Sequence, residues 1–297
     1  MIDLSGLTTE TRNKNTLNLD TMSPLEIAQV MNQEDENVVA GVRAVLPEIA
    51  TVIEWCTDSL RRGGRIIYMG AGTSGRLGLL DAVECPPTFG VSSDVVVGLI
   101  AGGESAFIKA VEGAEDSTTL GTDDLKNIGL KAEDIVIGIA ASGRTPYVIH
   151  ALKYAKENGC KTAVVVCNKG SEMAKVADIA IEPVVGPEVL TGSTRLKSGT
   201  SQKMILNMIS TGSMVGVGKA YQNLMVDVQQ TNEKLKVRAQ NIVIEATGCE
   251  REKASQLLEE AKGSVKLAIT AILLDCDVDT AGNKLKNAGG HVRKAIV

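Results

Sequence analysis

Aromatic residues make up only 2% of the 297-residue chain: one Trp, four Tyr and two Phe. Aromatic faces are what nucleic-acid bases and carbohydrate rings stack on, so this scarcity argues against both kinds of platform. The net charge of -5 argues further against a phosphate-backbone partner, and no nucleic-acid role is expected. Histidine is equally sparse. With His150 and His291 alone, and no His-Glu-x-x-His pair, a metal-dependent mechanism has few ligands to draw on, and no metal is expected. The six cysteines (Cys56, Cys85, Cys160, Cys167, Cys249 and Cys276) form no Cys-x-x-Cys pair and lie mostly in apolar runs, which points to buried free thiols. No stretch approaches the roughly 18 to 20 uninterrupted apolar residues of a membrane span. The first residues, Met-Ile-Asp-Leu-Ser-Gly, show no basic region followed by an apolar one. A cytoplasmic protein without a membrane partner is expected, and its acid–base chemistry falls to carboxylates and hydroxyls.

What is present is an ordinary globular composition, 44% hydrophobic and 23% charged, enough for one large core and a smaller appended unit. Residues 1 to 22 are polar and aperiodic. Ser23-Pro24-Leu-Glu26 then reads as a helix start with Ser as N-cap and Pro at the first helical position, and helices are predicted to fill 24 to 62. Apolar runs at 65–69, 94–100, 134–140, 162–167 and 178–182 alternate with helix-like segments, the pattern of a five-stranded parallel sheet covered on both faces. The Met-rich, proline-free segment from Thr200 to Val226 is predicted as one long helix packed against the sheet or a second subunit. Beyond Thr231 short amphipathic helices follow, punctuated by Gly248, Gly263, Gly282 and Gly289-Gly290. The expected organisation is an N-terminal polar segment and helix (1–49), an α/β domain (50–231) and a small all-helical unit (232–297). That unit reads as a simple cap or as a compact three-helix module resembling the ubiquitin-associated (UBA) type.

Residues 70 to 78 read Gly-Ala-Gly-Thr-Ser-Gly-Arg-Leu-Gly between the first strand and a helix. Glycines let the backbone turn tightly against an anion, and the first amides of a helix supply donors and partial positive charge. Gly70, Gly72 and Gly75 also spell the dinucleotide fingerprint. A dinucleotide site wants an acidic residue at the end of the second strand, but that strand runs into Ala101-Gly-Gly103, and Asp94 lies at its other end. The hydroxyls of Thr73 and Ser74 favour a terminal phosphate. A purely structural glycine turn stays open.

Two further loops repeat the theme. Ser142 ends the third strand and Pro146 opens the next helix, with Thr145 between them. After the fifth strand, residues 186 to 200 carry Thr191, Ser193, Thr194, Ser198 and Thr200 with Arg195 and Lys197, ahead of the long helix. Ligands of open parallel sheets bind at the carboxyl ends of the strands, so three hydroxyl-bearing loops converge on one anion.

This joint pattern, over residues 50 to 225, resembles the sugar isomerase (SIS) domain, an αβα sandwich with a five-stranded parallel sheet. The resemblance implies a phosphosugar ligand, held by Thr73 and Ser74 from the first loop and Ser142 and Thr145 from the second. Ser193, Thr194 and Ser198 are the third-loop candidates. Two acidic segments, Leu80-Asp-Ala-Val-Glu84-Cys-Pro-Pro-Thr-Phe89 and Ala110-Val-Glu-Gly-Ala-Glu115-Asp-Ser117, narrow the likeness, together with Thr9-Glu-Thr-Arg-Asn13. They resemble the N-acetylmuramic acid 6-phosphate etherase family over almost the whole chain. That family cleaves the lactyl ether of its substrate by elimination and rehydration, giving N-acetylglucosamine 6-phosphate and D-lactate in cell-wall amino-sugar recycling, and the resemblance implies no cofactor. Glu84 and Glu115 match its catalytic pair.

Glu84 is expected to end the helix that begins near Gly75, because Pro86 bars Cys85 from helical geometry. A helix end and partial burial beside Phe89, Pro86 and Pro87 would keep it protonated as the acid, leaving Glu115 as the base. Ten helical residues span about 15 Å, too far for Glu84 to reach a sugar whose phosphate sits at that helix's start. A homodimer with an active site shared between subunits follows as the expectation. A protein-binding phosphosugar sensor related to glucokinase-regulatory proteins and an aldose–ketose isomerase are the alternative readings.

Overall fold

The computed structural model describes residues 7–109, 111–229 and 233–297. They divide into two compact units, one of residues up to Val83 with Asp94–Ser210 and one of Glu84–Ser93 with Thr211–Val297. No helix among the described residues is long and apolar enough to cross a membrane.

The first unit opens with three single 3-10 turns at Thr8–Glu10, Lys14–Thr16 and Leu19–Thr21, followed by α1 (Pro24–Arg43) and α2 (Leu46–Arg61). The start of α1 is a reciprocal cap: Glu26 N donates to Ser23 Oγ at 3.4 Å and Ser23 N to Glu26 Oε2 at 2.7 Å. Then come β1 (Ile66–Gly70), α3 (Gly72–Phe89), β2 (Val96–Ile100), α4 (Ser105–Ile108), α5 (Leu120–Asn127) and β3 (Ile135–Ala140). The series continues with α6 (Pro146–Glu157), β4 (Lys161–Val166), α7 (Glu172–Val176), β5 (Ile179–Ile181) and α8 (Lys197–Gly216).

All five strands are parallel, in the order β2-β1-β3-β4-β5. Strands β1 and β3 are buried along their whole length, as expected of a sheet covered on both faces. Ile67, Met69, Val136, Val164 and Val166 pack with Val148 and Leu152 of α6 and Met173 of α7 in the main core. The chain runs from β1 outward to β2 and then crosses back to β3 on the other side. This reversal opens a crevice at the carboxyl ends of β1 and β3, where the order switches.

The polar N-terminal segment is not a loose tail. Thr9, Asn13 and Thr16 are buried. Thr16 Oγ1 donates to Val189 O at 2.8 Å, Asn168 Nδ2 to Thr9 Oγ1 at 3.1 Å, and Asn13 Nδ2 to Glu34 Oε2 at 2.8 Å. Glu34 in turn takes Lys197 Nζ at 2.6 Å, in an ion pair whose two side chains are 8% and 1% exposed. Burial would raise the Glu34 carboxyl, but hydrogen bonds from Lys197, Asn15 and Asn13 outweigh it and hold the group below the usual carboxylate range.

The second unit contains a two-stranded antiparallel hairpin, β6 (Ala220–Tyr221) and β7 (Leu224–Met225), and then α9 (Glu233–Thr247), α10 (Arg251–Glu260), α11 (Val265–Leu274), α12 (Val278–Asn287) and α13 (Val292–Ala295). Val243, Ala254, Leu258, Ala268, Ile269 and Leu285 form its core. Ser264 and Asp277 cap α11 and α12.

Three sequence expectations are corrected. Instead of running to Val226, α8 stops at Gly216: Lys219 N returns to Met214 O at 2.9 Å, and Gly218 adopts φ +81°, with Gly290 O only 2.8 Å from where a Cβ would sit. Pro86 does not end α3, which carries both Pro86 and Pro87 and closes only where Gly90 N reaches Pro86 O at 2.9 Å with φ +62° at Gly90. The restriction before proline disfavours helix without forbidding it, and the two missing N–H groups fall in the last turns. Gly282 is no boundary but lies inside α12, where a Cβ would come 3.8 Å from Leu267 of α11.

Candidate active site

At the turn from β1 to α3 the three glycines have different reasons. Gly72 adopts φ +52°, which a side chain disfavours. Gly70 and Gly75 touch: a Cβ on Gly70 would lie 2.7 Å from Gly75 N, and one on Gly75 2.7 Å from Gly70 O. The helix thus packs directly against the end of its own strand. The first amides of an α-helix have no intrahelical acceptor, and here they sit beside the hydroxyls of Thr73 and Ser74.

A crevice of about 320 Å³ lies at this point, lined by Ala71 to Ser74 from the first loop, Ala140 to Ser142 and Thr145 from the second, Gly192 and Thr194 from the third, and Glu10 and Glu115. Of the hydroxyl residues singled out in the sequence, Thr73, Ser74, Ser142, Thr145 and Thr194 are brought together. Ser193 and Ser198 are not among the lining residues. Ser198 is fully buried, and its amide and that of Lys197 each donate to the Glu188 carboxylate at 2.9 Å. The start of α8 is therefore filled by a side chain of the protein itself. That corrects the third-loop expectation at Ser198: hydroxyls and a helix start occur in sequence, but Glu188 already occupies the anion position.

Several of the lining residues are tied to their neighbourhood. Ser74 is buried and donates to Gln202 Oε1 at 2.9 Å. Ser142 Oγ accepts from Arg144 N at 3.4 Å, and Gly143 bends at φ +73° where a Cβ would strike Ser171 at 2.4 Å. Thr145 is the N-cap residue of α6, with Pro146 following as predicted. Glu115, exposed at the crevice edge, is held through its backbone: Tyr147 N, in the first turn of α6, donates to Glu115 O at 3.1 Å. Two sequence-distant carboxylates thus meet in one crevice, and Glu10 was not foreseen. The 3-10 turn at Thr8–Glu10 brings it there, and its signal lay within the Thr9-Glu-Thr-Arg-Asn13 string.

A second recess of about 250 Å³ shares Ala71, Gly72 and Glu115 with the first. Its wall includes Arg76, whose Nε donates to Phe107 O and Nη2 to Ala106 O, both at 2.8 Å.

Glu84 behaves differently from its expectation. It is exposed, lies inside α3 rather than at its end, and is not among the residues lining either recess. The burial beside Phe89, Pro86 and Pro87 invoked for it does not occur. Leu80 and Val83 on the same helix are 45% and 54% exposed, and Pro87, one turn beyond Glu84, is exposed as well.

A parallel sheet of order 2-1-3-4-5 with hydroxyl-bearing loops at its switch point is the architecture of an SIS-domain protein. The SIS domain model matches residues 121–211, and the model for the glucokinase regulatory protein N-terminal SIS domain matches residues 48–156. The fold is also that of a phosphoheptose isomerase from Francisella tularensis, at 17% identity and TM-score 0.50, over 65% of this chain and 100% of that one. Sequence relatives are nearer. An N-acetylmuramic acid 6-phosphate etherase from a Geobacillus species is 58% identical over 99% of both chains. Another, from Pectobacterium atrosepticum, is 57% identical over 100% of this chain and 98% of its own. The chain belongs to the N-acetylmuramic acid 6-phosphate etherase family.

Proposed function

We propose that this chain cleaves the D-lactyl ether of N-acetylmuramic acid 6-phosphate, giving N-acetylglucosamine 6-phosphate and D-lactate, in the cytoplasmic recycling of cell-wall amino sugar. The observation that carries the reading is the crevice of about 320 Å³ that Thr73, Ser74, Ser142, Thr145 and Thr194 line beside Glu115. In this reading the hydroxyls of Thr73, Ser142, Thr145 and Thr194 and the first amides of α3 hold the 6-phosphate; Ser74, whose hydroxyl proton goes to Gln202, contributes through its backbone amide, and Ser193 supports the third loop at its edge.

The chemistry follows from the substrate. In the open-chain sugar the ether oxygen on C3 is β to the aldehyde, so the C2 proton is acidic. Glu115 as carboxylate takes that proton, the C3–O bond breaks, and lactate leaves with a proton from the acid, Glu84. Water then adds across the C2–C3 double bond, its oxygen to C3 and a proton returned to C2, so that atoms and charge balance.

Glu84 lies outside the recesses, on a helix face whose Leu80 and Val83 are exposed. Such a face suits a second copy of the chain, and we assign Glu84 to the crevice of the partner subunit in a two-fold dimer. Incubation with N-acetylmuramic acid 6-phosphate in 18O-labelled water tests the reaction: label is expected in the C3 hydroxyl of the sugar, and label in lactate overturns elimination. Verified heterodimers of a Glu84→Ala chain with a Ser142→Ala, Thr145→Ala chain test the sharing. Return of activity in one of the two sites supports it, and its absence refutes it.

A further inference from the structure

Arg76 lies one residue beyond the glycine loop, and nothing in the phosphate-binding reading uses it. It is half-buried in the second recess and is the one cation among the described residues lining it. Neither Glu112 nor Glu115, both on the wall of the same recess, comes within ion-pair distance of it. A guanidinium carries five N–H donors in a planar fork. The backbone carbonyls of Phe107 and Ala106 take one from Nε and one from Nη2, both at 2.8 Å. This fixes one edge of the plane against the α4 segment and leaves both hydrogens of Nη1 and one of Nη2. A remaining Nη1/Nη2 pair is the geometry that meets a carboxylate with two parallel hydrogen bonds. The rest of the wall includes Ala101, Ala106 and Val111, whose side chains are apolar and small enough to accept a methyl group.

We propose that Arg76 is a specificity-determining residue that binds the carboxylate of the substrate's lactyl group, with the lactyl methyl against Ala106 and Val111. The inference rests on the phosphosugar reading of the first crevice and extends it. The two recesses share Ala71, Gly72 and Glu115, so a sugar anchored by its phosphate in one places its C3 substituent in the other, and Glu115 stands between them, beside C2. Arg76 thereby separates an ether-bearing phosphosugar from one with a bare hydroxyl at C3, and it holds the leaving group's charge as the C3–O bond breaks.

The test compares N-acetylmuramic acid 6-phosphate, which carries the lactyl group, with N-acetylglucosamine 6-phosphate, which lacks it, in the full-length Arg76→Gln and Arg76→Lys variants. For Arg76→Gln the expected result is a kcat/KM for the ether substrate lowered about 10- to 100-fold, as for loss of a two-hydrogen-bond ionic contact. Binding of N-acetylglucosamine 6-phosphate by calorimetry should stay within about twofold of wild type, since that ligand makes no use of the contact. Arg76→Lys keeps the charge but not the fork and should fall between the two. Equal loss for both ligands would make Arg76 a structural tie to α4 and overturn the proposal, as would unchanged kcat/KM. Failure of the wild type to bind N-acetylglucosamine 6-phosphate at all would instead refute the phosphosugar reading itself. Should Arg76→Gln not fold, Val111→Glu provides the second route: a carboxylate facing the guanidinium should weaken the ether substrate selectively, and equal or no weakening counts against the proposal.

Discussion

Helices α3 and α8 begin in the same unit, α3 with glycine and hydroxyl residues in its own first turn and α8 after a loop rich in them. In sequence both look like anion sites. At α8 the anion is Glu188, whose carboxylate accepts from the amides of Lys197 and Ser198 at 2.9 Å each, in a place from which water is excluded. At α3 no carboxylate among the described residues accepts from the first amides, and the helix start opens on the crevice between β1 and β3, with Glu10 and Glu115 on its wall. The same local chemistry serves stability at α8 and, in the proposed function, a ligand at α3. What differs is who supplies the negative charge.

The comparison can be broken at either end, beginning with the reaction it supports. Glu115→Gln removes the assigned base while leaving the backbone bond to Tyr147, and turnover should fall by about 10²- to 10⁴-fold, the usual contribution of a general base. Exchange of the C2 proton with deuterated solvent should stop as well; continued exchange would take the role from Glu115.

Changes at the internally filled helix should act on stability instead. Glu34→Ala leaves the fully buried Lys197 without its carboxylate, and a loss of about 3–5 kcal/mol is expected in denaturant unfolding. Glu188→Ala strips two buried amides of their acceptor and should cost about 3 kcal/mol. The pH dependence of Glu34 has a definite sign. Its carboxyl is lowered in the native state, so below the unfolded value of about 4.3 the unfolded chain binds more protons, and stability falls as pH drops through the native value. In Glu34→Gln that share of the acid sensitivity should vanish; an unchanged acid limb would refute it.

Smaller effects belong to the open helix. Ser142→Ala should weaken phosphosugar binding about tenfold, the range for one hydrogen bond to a charged group, without moving the melting temperature. Ala71→Glu would place a carboxylate at the start of α3, as Glu188 stands at α8, and should abolish binding of inorganic phosphate while the fold persists. If it bound phosphate as wild type does, the two helix starts would not be equivalent. Gly72→Ala meets no neighbouring atom but must hold φ +52°, and a loss of about 1 kcal/mol is expected.

Much of this was legible in advance. The five strands fall within two residues of the apolar runs, and α1 and α6 begin at Pro24 and Pro146 because proline is pre-shaped for a first helical position and lacks only a donor that the helix start cannot use. The first two loops deliver their hydroxyls to one crevice. The failures share a cause. Read locally, Pro86 is a helix stop, yet a helix already packed along Ala82, Cys85 and Phe89 carries two prolines into its final turn. The end of α8 at Gly216 depends on Gly218 meeting Gly290, a contact no window of sequence contains.

The sequence by itself determined the element order, the ligand class and the family, because glycine and proline geometry, hydroxyl placement and hydrophobic period act over a few residues. Tertiary structure decided which helix start stays open, that Glu10 joins Glu115 at the crevice, that Glu84 lies exposed on the flank of α3, and that Arg76 faces the adjoining recess. Those outcomes depend on partners distant in the chain, such as Thr9 with Asn168 and Glu34 with Lys197, and only a folded sheet brings such residues within the few ångströms over which hydrogen bonds and charges act.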